Sequence, residues 1–216
     1  FGLLAYQSAW LRHHYPTEFY VALFNNQPMG FYSLDALGRD ARRNGIQTLL
    51  PHINKSDMVC TAEGTDLRIG LGFVRNWGVE IAEHIVKERR RNGPYISLTD
   101  FLRRTPSGLQ RPAIENLIWV GGFNEFGLTR RELLWQAGLW LGPDTNNSCK
   151  RSRDNHAQTE LALGNPYENL SFPDIGQTEQ MIAEYQMLHF STELHPLSLL
   201  KNVLPKDTLT SDRLPL

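Results

Sequence analysis

The stretch GLGFVRNWGVEIAEHIVKERRRNGPY, residues 70–95, constrains this chain more than any other. Glu80 and Glu83 stand early, and Lys87, Arg89, Arg90 and Arg91 stand late, the polarity that a helix dipole favours. Ala82, Ile85 and Val86 share one side, and Gly93-Pro94 stops the run, so a helix is predicted over 79–92. Glycines ahead of a helix suggest a phosphate site. Gly70, Gly72 and Gly78 do not follow G-x-G-x-x-G, and no Lys-Ser/Thr pair comes after them, which excludes the dinucleotide fingerprint and the P-loop. A helix–hairpin–helix fits better: 70–75 closes a short first helix, RNWGV is the hairpin and 79–92 is the second helix. In such a hairpin the first backbone N–H groups of the second helix can hold a phosphate oxygen, and Gly78 lets it come close. Asn76 stands where a glycine usually begins the hairpin, and Asn is the residue that best tolerates positive φ after Gly. Trp77 is expected between the helices or at the surface. The candidate phosphate-contact residues are Arg75, Asn76, Trp77, Gly78 and Val79, with Lys87 and Arg91 along the helix.

Charge leaves two readings open. The whole chain carries a net −1, which names no partner. Residues 73–111 hold eight basic side chains against four acidic ones, a local +4. That excess suits a phosphate-binding face, and it equally suits a solvated helix end. LQRPAIENLIWVGGFNEFG, a helix followed by Gly121-Gly122 and an aromatic, reads as a second hairpin unit with Ile114, Leu117, Ile118 and Phe123 in a shared core. Its glycines suffice as a helix cap without any ligand.

The remaining pattern predicts a mainly α fold with a small β component. Residues 1–25 read as helical, with a restart at Pro16. Ser33 caps a helix over 34–44 that ends at Gly45, and IQTLLP is a short strand. MVCTAEGTDLRIGLG is a hairpin turning at Glu63-Gly64. Ser97 with Asp100 opens a short helix, 112–120 form another, and Thr129 with Glu132 is a capping box for a helix to about residue 140. Residues 141–180, rich in Asn, Pro, Gly, Ser and Asp, read as a linker or loose arm, and 181–192 return to a helical pattern. The 216 residues suit one domain or two small ones. Cys60 and Cys149 read as free thiols, with no zinc-ligand spacing. No apolar run is long enough for a membrane span. The start at Phe1 in mid-pattern and the stop in a Pro-rich stretch suggest a piece of a longer protein.

The order of these segments resembles one family, the bacterial DNA polymerase III alpha subunit. AYQSAWLRHHYPTEFYVALFNN is similar to a helix of its fingers. DARRNGIQTLLPHINKSD is similar to its acidic-x-x-R-x-x-G-I…P-P-D-x-N segment, with His52 where the family usually has Asp. LRIGLGFVRNWGVEIAEHIVKERRRNGPYISLTDFLRR resembles the glycine-rich segment at its helix–hairpin–helix domain, and RPAIENLIWVGGFNEFG the repeat ending in A-G-A-F-D-x-L-G. NNQPMGFYSLDALGRDARRNGI, SDMVCTAEG and EYQMLHFSTELHPLSLLK resemble the error-prone, lesion-bypass paralogue more than the replicative one.

The resemblance implies residues 1–57 as the end of the fingers, 58–140 as a tandem helix–hairpin–helix module, 141–180 as a linker and 181–216 as the start of a following domain. It implies binding to duplex DNA and primer–template during template-directed synthesis in damage tolerance, in the cytoplasm at the nucleoid and away from membranes. Arg39, Arg42 and Arg43 are candidates to face triphosphate or template. Polymerases of this kind hold Mg²⁺ on palm carboxylates. No close acidic pair of that type occurs here, so no catalytic residue, metal ligand or cofactor site is assigned within this sequence. A sliding clamp and an accessory polymerase-like protein are further expected partners, the clamp through the segment from Gln158 to Leu163. Three alternatives stay open: a replicative alpha subunit piece, a non-catalytic hairpin scaffold for protein docking, and a repair nuclease or ligase piece.

Overall fold

The computed structural model describes residues 1–105, 109–141, 171–192 and 197. The chain is mainly α with one small sheet, as its patterning predicts. Helices α1 (Gly2–His14) and α2 (Pro16–Asn25) meet at Pro16, whose fixed φ suits the first helical turn. α1 buries none of its residues, and Leu3, Leu4, Tyr6, Trp10 and Leu11 face solvent. α2 instead packs Tyr20 and Phe24 into the core. Helix α3 (Leu34–Arg43) starts where Ser33 Oγ accepts from the Ala36 N–H at 3.2 Å, and Gly45 follows it at φ +81°. Both signals were legible in the sequence.

Three short strands follow: β1 (Thr48–Leu49), β2 (Thr61–Glu63) and β3 (Asp66–Arg68). The order is β1-β3-β2, with β1 parallel and β2 antiparallel to β3, and Gly64 turns the β2–β3 hairpin at φ +64°. The glycines just beyond β3 have a packing role. A Cβ on Gly70 would lie 2.4 Å from the Val59 carbonyl carbon, and one on Gly72 would lie 2.9 Å from the Met58 carbonyl oxygen. The close approach is secured by the Leu71 N–H to Asp57 O (2.8 Å) and the Gly72 N–H to Met58 O (2.9 Å). These two glycines let backbone cross backbone, and the first helix expected over 70–75 is a single 3₁₀ turn, Leu71–Phe73.

Helices α4 (Val79–Asn92), α5 (Leu98–Arg104), α6 (Arg111–Trp119) and α7 (Arg130–Leu141) form the helical half. Tyr95, Phe101 and Phe123 stack edge to face between them, at 5.2 and 5.0 Å. Helix α8 (Gln177–Leu188) begins inside the segment read as a linker. The segment read as the start of a following domain packs, over 181–192, into the same core: Leu188 and Phe190 are buried, and Phe190 stacks on Phe24 at 5.7 Å. Buried Glu184 accepts from Ser191 Oγ and from both the N–H and the hydroxyl of Thr192, which fixes this return. A core reaching from α2 to α8 also crosses the boundary drawn between residues 57 and 58. Cys60 is a buried free thiol, pushed up to about 12 by burial. Cys149 and the clamp-like segment from Gln158 to Leu163 lie outside the described residues.

Candidate nucleic-acid interface

The hairpin ahead of α4 is shaped by its backbone. Asn76 stands at φ +67°, the left-handed conformation a glycine would supply, so the substitution keeps the turn. Gly78 is the N-cap of α4 at φ −72° and ψ 154°, an ordinary extended geometry open to any residue. A Cβ there would meet nothing within 4 Å. No side chain caps α4, so the N–H groups of its first turn, which lack intrahelical acceptors, point out beside an empty space. Neither φ nor packing demands glycine at 78, in contrast to Gly70. What its missing side chain leaves is room for a group to approach the backbone. Val79 and Arg75 are exposed at the two ends of this opening. Glu80 is exposed in the first turn, where it favours the helix dipole but opposes an incoming anion.

Trp77 corrects one expectation. Its side chain is 5% exposed, its indole N–H donates to the Ala113 carbonyl at 2.7 Å, and its backbone N–H donates to Val74 O at 3.0 Å. Every donor it has is satisfied inside the chain, so the ring supports the hairpin from below and is not an outward contact. Two further ties fix the turn. The Arg75 N–H donates to the Met187 carbonyl at the end of α8 (3.0 Å), and Asn116 Nδ2 on α6 donates to the Arg75 carbonyl (2.8 Å). Neither partner was singled out from sequence. Asn116 carried a signal, a polar residue among Ala113, Ile114, Leu117 and Ile118. The Met187 carbonyl carried none, because backbone groups are alike in every sequence.

Folding ties up much of the local +4 inside the chain and leaves Arg75 and Arg91 exposed. The Arg89 side chain is 11% exposed and donates to the Ile53 and Ser56 carbonyls and to Asp57. Burial holds its guanidinium pKa below the ordinary value. Arg90 also pairs with Asp57, at 3.0 Å, and Arg111 pairs with Glu115, at 2.6 Å. Both carboxylates lie outside the window that gave the excess. Arg104 stacks 4.3 Å over the Tyr95 ring while pairing with Glu88 and Asp100. Lys87 pairs with Glu83 on an exposed face, and Arg91 is exposed at the far end of α4. A rise of about 1.5 Å per residue sets Arg91 roughly 20 Å from Gly78, so the two cannot serve one phosphate. Arg89→Ala is expected to destabilise the fold by about 1–3 kcal/mol, because it leaves the Ile53 and Ser56 carbonyls without their donor. A urea titration checks this, and a change below about 0.5 kcal/mol would contradict it.

On α3, Arg39 pairs with Asp35 at 3.0 Å and Arg42 donates to the Thr192 carbonyl at 3.2 Å, while Arg43 is exposed. The second hairpin is closed. A Cβ on Gly122 would lie 2.3 Å from Leu117 Cδ1, and the Gly122 carbonyl accepts from the Ile53 N–H. Gly121 turns at φ +81° against Arg130 and Asn124. Among the described residues no group of three or more His, Cys, Asp or Glu side chains could hold a metal ion, and no helix is long and apolar enough to cross a membrane.

Comparison with known proteins agrees with this geometry. A family model described as a helix-hairpin-helix motif matches residues 45–133. The chain is 45% identical over 140 residues to a protein named error-prone DNA polymerase from Mycobacterium bovis, covering 64% of this chain and 13% of that protein. Proteins of the same name from Corynebacterium diphtheriae and Methylococcus capsulatus match 94% and 95% of this chain at 36% and 32% identity. The chain spans 18% and 20% of their lengths.

Proposed function

We propose, for a chain homologous to one stretch of the error-prone DNA polymerases, that it contributes sequence-independent duplex binding, and part of the fingers, to template-directed DNA synthesis in damage tolerance. The observation that carries this reading is the open hairpin: Asn76 at φ +67° followed by a glycine whose Cβ position is empty. A DNA backbone phosphate is the anion that fits. It meets a row of backbone N–H groups without base contacts, which positions a duplex without reading it. Arg75 and Arg91, exposed and on one unit, supply charge to two different phosphates along the duplex. Lys87 adds less, because Glu83 shares its charge. Arg43 supports a triphosphate- or template-facing role better than Arg42, whose guanidinium is held by Thr192.

Among the described residues no group of three or more His, Cys, Asp or Glu side chains offers a site for the magnesium of nucleotidyl transfer. Under the proposal those ions are bound elsewhere in the polymerase, which works at the nucleoid in the cytoplasm on primer–template, with a sliding clamp and an accessory polymerase-like protein as further partners. The names of the relatives favour the error-prone paralogue over the replicative one and over nuclease or ligase pieces. The docking-scaffold alternative is not separated by changing Arg89 to Ala, because that arginine holds the fold.

The test is anisotropy of labelled duplexes against the whole 216-residue chain. Two unrelated sequences are expected to bind equally, with log K falling linearly in log salt at a slope of roughly −0.9 per phosphate neutralised. Absent or salt-independent binding would remove the reading.

A further inference from the structure

We propose that Asn116 is the positioning residue of this interface, and that the second hairpin unit serves as the mount of the first and takes no phosphate itself. The inference rests on the duplex-binding reading above. Asn116 is 7% exposed on the packed face of α6, and its Nδ2 donates to the Arg75 carbonyl. The Arg75 N–H is held from another direction by the Met187 carbonyl. Both backbone polar groups of residue 75 are therefore fixed by elements outside the hairpin. The next residue is the left-handed Asn76, a conformation that persists only where its surroundings over-determine it. The peptide that Asn116 holds is the one that turns the chain toward Gly78, so its orientation sets where the first amides of α4 point.

The second unit has the opposite character. Thr129 and Glu132 cap each other's backbone N–H groups across the first turn of α7, at 2.8 and 3.2 Å. The Arg130 N–H donates to Asp174 Oδ1 at 3.2 Å, and Glu132 also accepts from the Phe172 N–H. A carboxylate of the chain itself lies where a phosphate would have to approach α7, over glycines already closed by Leu117 and Arg130. Under this proposal the two hairpin units have different uses: one faces outward, and the other supplies Ala113 and Asn116 to hold it.

The experiment compares the whole chain with Asn116→Leu, which keeps the size and removes the donor, and with Asp174→Ala, which uncovers α7. Duplex anisotropy across a salt series is read beside hydrogen exchange of the Arg75 and Trp77 amides, which donate to the Met187 and Val74 carbonyls. Asn116→Leu is expected to weaken duplex binding roughly tenfold, the equivalent of one lost buried hydrogen bond, and to speed exchange at both amides well below its melting temperature. A residue that only filled space would leave those amides protected. Asp174→Ala is expected to leave affinity and salt slope unchanged. Wild-type binding and exchange in Asn116→Leu would overturn the proposal, as would an Asp174→Ala chain that binds tighter with a steeper salt slope. Asn116→Ser gives the same readouts if the leucine does not fold. A wild-type chain that binds no duplex removes the binding reading, while amide exchange still decides whether Asn116 holds the hairpin.

Discussion

Gly78→Asp is expected to abolish most of the proposed duplex affinity while the protein stays folded. The fold accepts the change because residue 78 has extended backbone angles and a Cβ there meets no neighbour within 4 Å. Asp is also a better N-cap than Gly by a few tenths of a kcal/mol, so the urea midpoint should hold or rise slightly. Binding suffers because the new carboxylate takes up the free amides of α4 and repels a phosphate from the same space. Hydrogen bonds to charged groups contribute about 1.5–3 kcal/mol, which predicts a loss of roughly ten- to hundredfold. Gly78→Ala, with a methyl and no charge, should lose less. Anisotropy at low salt, paired with a denaturation curve for each variant, makes the check. A Gly78→Asp chain that binds like wild type would mean the hairpin only packs.

Trp77→Ala is expected to have the largest effect on stability. The ring is almost fully buried between the hairpin and α6, and its N–H bond to Ala113 anchors the turn. Emptying such a site costs about 3–5 kcal/mol, a sizeable share of what holds a domain of this size. Trp77→Phe should cost less, since it keeps most of the apolar contact and loses one hydrogen bond worth about 1 kcal/mol. The two variants together separate cavity from hydrogen bond by urea denaturation. A cost below about 1 kcal/mol for Trp77→Ala would place the ring outside the core. This substitution gives no clean test of DNA contact, because the hairpin goes with the ring.

Trp77 also shows where sequence reading ran out. Its position between Asn76 and Gly78 put it among the contact residues, and nothing in the pattern said which way the ring turns. The direction is set by α6, more than thirty residues on, through the Ala113 carbonyl. Arg89 is a parallel case. In a run of three arginines at a helix end it looks like its neighbours, yet it alone reaches the carbonyls of Ile53 and Ser56. Two partners that offset half of the local +4, Asp57 and Glu115, lie outside the window where that charge was counted. Helix limits were much easier to read. Ser33, Ser97 and Thr129 cap where their patterns predict, because a cap depends on residues three apart.

The sequence by itself determined helices α1 to α7, the caps at Ser33, Ser97 and Thr129, the β2–β3 turn and a residue at 76 suited to the left-handed conformation. Each rests on local geometry or on hydrophobic periods that a short window contains. Only the tertiary structure decided which of the hairpin glycines have open space beside them. Gly70 is filled by the Val59 backbone, Gly122 by Leu117, and Gly78 by nothing. The space beside a glycine belongs to the chain that passes it, and that chain comes from elsewhere in the sequence.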